Sequence, residues 1–221
     1  MNLKELSAIS AVKLVEDGQI LGLGTGSTMY YAIREIGRRI REEGLEILGI
    51  ATSIATEKLA KENGIPLTTL QEHQGIDIDI DGADQVDKDL NLIKGGGGAH
   101  FREKIVALCA KKFVVIVDES KLVEKLDMPV PVEVLPFAWR IVSNSLGGLN
   151  GNPKLRLLND QPFITDNKNL ILDVDFGVIR DPGNLEGEIN SIVGVIENGI
   201  FTGLTSEVHV GTRDGVKILK G

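Results

Sequence analysis

The sequence has very little cysteine, no surplus of positive charge and no long apolar run. The one cysteine, Cys109, excludes a disulfide within the chain and is typical of a protein kept in a reducing compartment. A net charge of −8 argues against general binding to nucleic acid or to an anionic membrane. The longest strongly apolar run, FVVIV at 113–117, is too short to span a bilayer, and Lys4, Glu5 and Lys13 make the opening segment unlike a secretory signal. We therefore expect a soluble protein of the cytoplasm.

What the sequence does contain is enough apolar material for a packed core, together with much glycine. Of its 221 residues, 42% are hydrophobic and 25% are charged, which argues against disorder and allows one large domain or a large domain with a smaller companion. Many of the 26 glycines fall in a few clusters. Because glycine lets a ligand approach the main chain closely, these clusters indicate binding loops.

The first half of the chain alternates short apolar runs with helical stretches. The periodicity predicts helices over 3–17, 28–43, 55–63 and 99–111, and strands over 19–23, 46–51, 67–70, 76–81 and 113–117. This alternation predicts a mostly parallel sheet with right-handed crossovers, in which ligands bind beyond the carboxyl ends of the strands. The rule selects three loops, at 24–28, 52–56 and 81–84.

The pattern changes near Pro129. The second half predicts strands over 130–134, 153–157, 170–174 and 193–200, and helices over 137–146 and 184–191. This β-α-β-β-α-β order is typical of a ferredoxin-like α+β domain. The tail, SEVHVGTRDGVKIL, predicts a hairpin around Asp214 and Gly215 that returns to the first sheet.

The aspartates of DIDIDG at 77–82 imitate the start of an EF-hand calcium loop. The bidentate glutamate that such a loop needs at its twelfth place is Lys88 here, which argues strongly against calcium. Asp77 and Asp79 alternate with isoleucines, so they are interpreted as the solvated face of a strand. Asp81 and Asp84 differ, because they lie at the carboxyl end of that strand and just beyond it, where ligands bind.

The segment GLGTGST at 22–28 is a glycine-rich turn between a strand and a helix. Such a turn directs main-chain N–H groups and the positive end of the helix dipole at an anion. It lacks the dinucleotide fingerprint, because the third glycine is replaced by Ser27, and it lacks the Gly-Lys-Ser/Thr of a Walker A loop. Two interpretations stay open: a small phosphate site, or a tight turn whose Ser27 or Thr28 caps the helix.

The segment LIKGGGGAHFREKI places Lys94 before four glycines and Glu103 on the helix that follows. Four glycines destabilise a helix or strand, so they suit main-chain contact with a ligand. Glu103 shares a helical stripe with small alanines, which would cover its carboxylate and raise its pKa toward the range useful for proton abstraction. Taken alone, Glu103 is more simply explained as an ordinary surface residue. The three histidines show no ligand spacing, so no metal site is expected, and no serine or cysteine nucleophile with a partner base is evident.

Several motifs in their order along the chain resemble type A ribose-5-phosphate isomerases: GLGTGST, TSxxTE, DGAD, NLIKGGGGA, REKI, VDESK, PVEVLPFAW, TDN and DGVK. The resemblance runs from about residue 3 to the C-terminus. It implies interconversion of ribose 5-phosphate and ribulose 5-phosphate in the non-oxidative pentose phosphate pathway, without a metal or an organic cofactor. It also implies a Rossmann-like catalytic domain over 1–127 and 203–221, a small ferredoxin-like domain over 128–202, and a homodimer or tetramer.

The resemblance also implies roles for residues that match the family motifs. The general base falls on Glu103, and a further binding lysine falls on Lys121. The other substrate contacts implied are Thr25, Gly26, Ser27, Thr28, Asp81, Gly82, Ala83, Asp84, Lys94, Gly95, Gly96 and Gly97. The loop at 52–56 is expected near the same site. His100 departs from the pattern, where an apolar residue is commoner, and this departure concerns loop packing only.

An aldose–ketose isomerase needs one carboxylate that serves two adjacent carbons, for which Glu103 is the candidate. It needs positive charge where an enediolate forms, which suits Lys94 and the glycine loop. Asp81 and Asp84 suit ring opening and hydroxyl binding. The alternatives are a non-catalytic sugar-phosphate-binding regulatory domain, an isomerase or deaminase of amino-sugar phosphates, and an acyl-CoA transferase with a glutamate nucleophile.

Overall fold

The structure is a computed structural model that describes residues 2–221. The helices are α1 Leu3–Val12, α2 Met29–Glu43, α3 Ile54–Glu62, α4 His100–Cys109, α5 Trp139–Gly148 and α6 Pro182–Asn190. The strands are β1 Ile20–Leu23, β2 Leu48–Ala51, β3 Ile78–Asp81, β4 Gln85–Val86, β5 Leu92–Ile93, β6 Phe113–Asp118, β7 Val130–Val134, β8 Asn152–Leu155, β9 Leu157–Leu158, β10 Gln161–Pro162, β11 Leu170–Asp175, β12 Val195–Asn198, β13 Ile200–Phe201, β14 Glu207–Thr212 and β15 Gly215–Lys220. Within residues 2–221, no helix combines the length and the apolarity that crossing a bilayer requires.

The chain divides into two compact units. The first contains the chain up to Ala83, Arg102–Leu122 and Leu204–Gly221, and the second contains Asp84–Phe101 and Val123–Gly203. The predicted catalytic and small domains, 1–127 with 203–221 and 128–202, stay a prediction.

The first unit is built on a six-stranded sheet in the order β15-β14-β6-β3-β1-β2. All neighbours run parallel except β15, which pairs antiparallel with β14 through the predicted hairpin. The mostly parallel sheet expected from the sequence is confirmed. Since β1, β3 and β6 run parallel, the loops that follow them leave from the same edge of the sheet.

One hydrophobic core of the first unit is formed by α1 and α2 together with apolar residues of the sheet. In α2 the buried residues recur at helical spacing, namely Met29, Ala32, Ile33, Ile36 and Gly37. A fully buried large apolar side chain contributes roughly 1.5–3 kcal/mol, so this face fixes α2 against the sheet and with it the loop that precedes α2. The helix ends at Gly44, whose φ of 73° is the left-handed conformation that glycine favours.

The second unit contains a four-stranded antiparallel sheet in the order β12-β7-β11-β8, with α5 and α6 contributing to its core. Numbered within the β-α-β-β-α-β motif, this order is 4-1-3-2, so the predicted ferredoxin-like arrangement is confirmed. Two smaller sheets also lie in this unit: β13-β5-β4 and the hairpin of β9 and β10.

Several predicted elements differ in extent. The helix predicted over 3–17 ends at Val12, and the strand predicted over 193–200 divides into β12 and β13. The strand predicted over 67–70 is wrong, because only Leu67 makes a bridge, with Gly49, before the chain turns. The turn is stabilised by hydrogen bonds from the hydroxyls of Thr68 and Thr69 to Glu72.

The interpretation of Asp79 as a solvated strand residue is also wrong. Its side chain is fully buried, because β3 is an interior strand of the sheet and its residues are buried on both faces. A Cβ atom on Gly22 of β1 would lie 2.4 Å from Asp79 Oδ1, so glycine at position 22 makes room for this carboxylate. Asp77 is half-buried and accepts hydrogen bonds from Ile20 N–H at 2.9 Å and from Lys111 Nζ at 2.8 Å.

Candidate active site

In the first unit, the loop at 24–28 is held against Asp81 by main-chain contacts. The N–H groups of Thr25 and Gly82 donate to Asp81 Oδ1 at 3.0 and 2.7 Å. A Cβ atom on Gly24 would lie 2.0 Å from Asp81 Cγ, so only glycine allows this approach. Two of the three loops selected from the sequence, at 24–28 and 81–84, therefore meet at the predicted sheet edge.

The third selected loop joins them through a cluster of hydroxyl groups. Thr25 Oγ1 lies 2.8 Å from Thr52 Oγ1, 2.8 Å from Ser53 Oγ and 3.0 Å from Thr56 Oγ1. Thr56 Oγ1 in turn donates to Gly24 O at 2.9 Å, and Ser53 Oγ caps α3 by accepting from Thr56 N–H. The Thr25 hydroxyl is thus engaged inside the protein, where it fixes the shape of the loop.

The other hydroxyl residues of the loop have a different environment. Ser27 and Thr28 precede α2, but Thr28 at the N-cap position makes no side-chain capping bond. Ser27 Oγ instead accepts a 2.9 Å hydrogen bond from Lys4 Nζ of α1. The interpretation of Thr28 as a helix cap is therefore not supported. The loop instead lies beside the ammonium group of Lys4, whose positive charge favours binding of an anion at the start of α2.

The positive charges of two lysines lower the pKa of Asp118, which lies at the end of β6 in the same unit. Burial raises the pKa of Asp118, but hydrogen bonds from Ser120 and the charges of Lys121 and Lys4 outweigh it, so the pKa of Asp118 lies below its ordinary value. Lys121 was a candidate from the sequence, whereas Lys4 was not. No spacing signal links position 4 to the loop at 24–28, and only the packing of α1 brings the two together.

Glu103 lies in the first turn of α4, in the first unit, and is 4% exposed. The explanation of Glu103 as an ordinary surface residue is therefore wrong. Its neighbour Lys104 is equally buried, so this part of α4 carries two covered charges. Buried charged residues are rare unless they are paired or functional, which makes this helix face a candidate site.

In the second unit, Asp84 and the glycine loop are joined directly. Gly96 N–H donates to Asp84 Oδ2 at 2.8 Å, and the main chain of Asp84 donates to Ile93 O at 2.8 Å. A Cβ atom on Gly96 would lie 2.8 Å from Asp84 Oδ1, so glycine is needed for this contact. Gly95 has a φ of 101°, which also favours glycine.

Lys94 is 2% exposed and lies in the second unit. Its N–H donates to Gly199 O at 2.8 Å, and its ammonium group lies 5.6 Å from the centroid of the Phe201 ring. The cation–π contact and the β5–β13 pairing fix the side chain and the main chain of Lys94 at the entrance to the glycine loop.

Among residues 2–221, no group of three or more histidine, cysteine, aspartate or glutamate side chains has an arrangement that could hold a metal ion.

Comparison with known proteins places the chain in a family. A sequence profile of ribose 5-phosphate isomerase A (phosphoriboisomerase A) matches residues 48–215. The chain belongs to the ribose 5-phosphate isomerase A family. A relative named ribose-5-phosphate isomerase A from Methanothermobacter thermautotrophicus is 53% identical over 223 residues, covering 100% of this chain and 98% of the relative. A relative of the same name from Methanosarcina acetivorans is 54% identical over 219 residues, covering 98% of this chain and 93% of the relative.

Solved structures of ribose 5-phosphate isomerases have the same fold as this chain. The enzyme from Methanocaldococcus jannaschii has a TM-score of 0.95 at 53% identity and covers 99% of this chain and 98% of its own. A D-ribose-5-phosphate isomerase in complex with phospho-erythronic acid has a TM-score of 0.97 at 45% identity, with full coverage of both chains. The fold and the family expected from the motifs are confirmed, while the individual site residues stay predictions.

Proposed function

We propose that this protein interconverts D-ribose 5-phosphate and D-ribulose 5-phosphate by moving a proton between C2 and C1 through an enediolate. The observation that carries the proposal is the burial of Glu103, the residue to which the sequence resemblance assigns the general base. A regulatory sugar-phosphate-binding domain would retain a phosphate loop but would not require a covered carboxylate.

Glu103 is the proposed general base. A carboxylate that is removed from bulk water can take a proton from one carbon and deliver it to the adjacent carbon without exchanging that proton with solvent at every turnover. The first turn of α4 places this side chain on a regular element.

Lys94 and the loop Gly95–Gly97 are the proposed stabilisers of the enediolate oxygens. A fixed ammonium group and main-chain N–H donors stabilise developing negative charge most when water is excluded. The low exposure of Lys94 supports this role. Gly96 N–H already donates to Asp84, so the N–H groups proposed to contact the substrate are those of Gly95 and Gly97.

Asp81 and Asp84 are the proposed partners of the sugar hydroxyls and of the ring oxygen during ring opening. Each carboxylate is oriented by a main-chain N–H group, from Thr25 and Gly82 for Asp81 and from Gly96 for Asp84. Gly82 and Ala83, between the two aspartates, allow close approach of the sugar.

The phosphate group is the proposed handle of the substrate. Gly26, Ser27 and Thr28 precede the N-terminus of α2, and Lys4 and Lys121 supply positive charge in the same unit. Binding energy at a group remote from the reacting carbons orients the sugar for proton transfer. The sequence did not predict this role for Lys4.

We also propose that the protein acts in the cytoplasm as a homo-oligomer. In the second unit, Phe137 is 102% exposed, Val193 is 91% exposed and Ile141 is 71% exposed. The hydrogen bond from Leu135 N–H to Gly194 O, at 3.0 Å, joins the segments that carry these side chains. Exposed apolar patches of this kind mark contact surfaces, so Phe137→Asp is expected to lower the oligomer mass in sedimentation while Val216→Asp on β15 leaves it unchanged.

The experiment that tests the proposed function is an assay of ribulose 5-phosphate formation from ribose 5-phosphate by the purified protein. Ribulose 5-phosphate is expected, and its formation in the presence of EDTA is expected to continue at the same rate. A protein that binds the substrate without converting it would favour the regulatory alternative. Loss of the rate with EDTA, restored by a divalent ion, would indicate metal-assisted catalysis instead.

A further inference from the structure

The hairpin of β9 and β10 in the second unit carries two residues that the proposed reaction does not use, Arg156 before β9 and Phe163 after β10. Phe163 N–H donates to Arg156 O at 2.9 Å, so the two residues face each other across the base of the hairpin. The Arg156 guanidinium carbon lies 5.8 Å from the centroid of the Phe163 ring. The pair therefore forms one surface, half aromatic and half cationic.

The cationic half of this surface contacts the glycine loop of the same unit. Arg156 Nη1 donates to Gly95 O at 2.8 Å and to Gly96 O at 3.3 Å. The side chain of Arg156 is 15% exposed, so these are shielded, charge-assisted bonds. Each of them fixes a carbonyl on a chain of glycines that would otherwise sample many conformations.

Asp173 on β11 holds the arginine itself. Arg156 Nε donates to Asp173 Oδ2 at 2.9 Å, and Arg156 Nη2 donates to Asp173 Oδ1. This two-point contact sets the plane of the guanidinium and leaves Nη1 directed at the loop. A regular strand of the four-stranded sheet thus determines where the Gly95 and Gly96 carbonyls lie.

The aromatic half contacts the far end of the same loop. Gly98 has a φ of +76°, and a Cβ atom there would lie 2.5 Å from Phe163 Cε1. The Phe163 ring therefore packs directly on the main chain at Gly98. The hairpin constrains the loop at both ends, at the carbonyls of Gly95 and Gly96 and at the α-carbon of Gly98.

We propose that Arg156, oriented by Asp173, is a positioning residue that holds the glycine loop in its catalytic shape. This inference rests on the proposed function, in which N–H groups of the loop stabilise the enediolate. Preorganised donors stabilise a transition state without reorganising during the reaction, and a bare glycine loop has no side chains with which to preorganise itself. The expected consequence of losing Arg156 is a lower kcat with a smaller change in KM, because the phosphate contacts lie elsewhere.

The test compares Arg156→Ala, Arg156→Lys and Asp173→Asn with the control Arg180→Ala. Arg180 is an exposed arginine of the same unit, and within residues 2–221 its side chain makes no hydrogen bond or ion pair. Hydrogen–deuterium exchange of the segment 92–101 is followed in each variant, together with kcat and KM for ribose 5-phosphate. We expect exchange at Gly95–Gly98 to accelerate about tenfold in Arg156→Ala. We expect kcat to fall about 10–100-fold, with Arg156→Lys and Asp173→Asn intermediate.

Unchanged exchange in the segment 92–101, or the same effect in Arg180→Ala, would overturn the inference. A folded Arg156→Ala with faster exchange but wild-type kcat would also overturn it, since the bonds would then hold the loop without serving the reaction. If Arg156→Ala fails to fold, the exchange and the kcat of Arg156→Lys and Asp173→Asn test the inference, because each of these variants keeps most of the buried side-chain volume.

Failure of the proposed function gives a different pattern. A wild-type protein without isomerase activity refutes that function, and with it the proposed effect of Arg156 on the reaction. Faster exchange at Gly95–Gly98 in the same protein would still show that Arg156 holds the loop. If the wild-type protein is active and the variants show wild-type exchange and kcat, the inference about Arg156 is refuted and the proposed function is not.

Discussion

The main-chain N–H of Thr25, just past β1, donates a 3.0 Å hydrogen bond to the Oδ1 atom of Asp81, at the end of β3. This bond links the loop proposed for the phosphate to a carboxylate proposed for the sugar. The distance between the two binding functions is therefore set by adjacent strands of one sheet. A substrate held at its phosphate would meet Asp81 at a fixed separation.

Glu103→Gln is expected to fold normally and to lower kcat by roughly 10²–10⁴-fold, because an amide of the same shape cannot accept the proton. The measurement is the initial rate of ribulose 5-phosphate formation, together with uptake of solvent deuterium at C2 of the substrate. Glu46→Gln, at an exposed position of the same unit, is the control. A Glu103→Gln protein with a near-normal rate would remove Glu103 from the mechanism.

Lys4→Ala and Lys121→Ala are each expected to raise KM about tenfold, which corresponds to about 1.4 kcal/mol, and to change kcat little. The reason is that both lysines are proposed to bind the phosphate and to lie away from the reacting carbons. Titration with inorganic phosphate as a competitor checks the assignment, since its inhibition constant should rise in parallel. Lys58→Ala, whose side chain is 79% exposed, is the control. A fall in kcat at constant KM would contradict the phosphate role.

Gly24→Ala is expected to destabilise the protein by about 1–3 kcal/mol and to reduce kcat, because the added methyl group overlaps the Asp81 carboxylate. The urea midpoint and the initial rate measure the two effects. Gly75→Ala is the matched control, because a Cβ at position 75 meets no atom within 4 Å. Equal behaviour of the two variants would show that the close approach of Gly24 to Asp81 is not required.

The sequence was most informative where local pattern and tertiary environment agree. The strand predicted over 130–134 is β7 with the same limits, since an apolar run followed by a turn has few alternatives. The carboxyl-end rule for parallel sheets also selected loops that meet in the structure, because it depends only on strand direction.

Long-range packing explains what the sequence did not reveal. Asp79 alternates with isoleucines as a solvated residue would, yet a missing side chain at Gly22, far away in sequence, creates the buried space it occupies. Lys4 and Arg156 reach their loops only because α1 and the β9–β10 hairpin fold beside them. No local periodicity encodes a contact between residues 60 positions apart, such as Arg156 and Gly96.

The buried pair Glu207 and His209, with half-buried Ser10 beside it, is expected to make the stability of the protein depend on pH in the acid range. His209 Nε2 donates to Glu207 Oε1 at 2.9 Å, Lys112 Nζ lies 3.1 Å from the same oxygen, and His209 Nδ1 lies 2.8 Å from Ser10 Oγ. Burial raises the pKa of Glu207, but the bonds from His209 and Lys112 outweigh it, so the folded-state pKa lies below the ordinary value of 4.5. The ionised carboxylate therefore stabilises the fold above pH 4.5, and this contribution is lost as the pH falls from 4.5 through the folded-state pKa.

Glu207→Gln isolates this contribution, because the amide does not titrate. The difference in unfolding free energy between wild type and Glu207→Gln is expected to shrink as the pH falls below about 4.5. Urea unfolding at a series of pH values measures it, with Glu62→Gln, at a side chain that is 57% exposed, as the control. A difference that stays constant down to pH 3 would mean that Glu207 has the same pKa in the folded and unfolded chains, and that the bonds from His209 and Lys112 do not favour its ionised form.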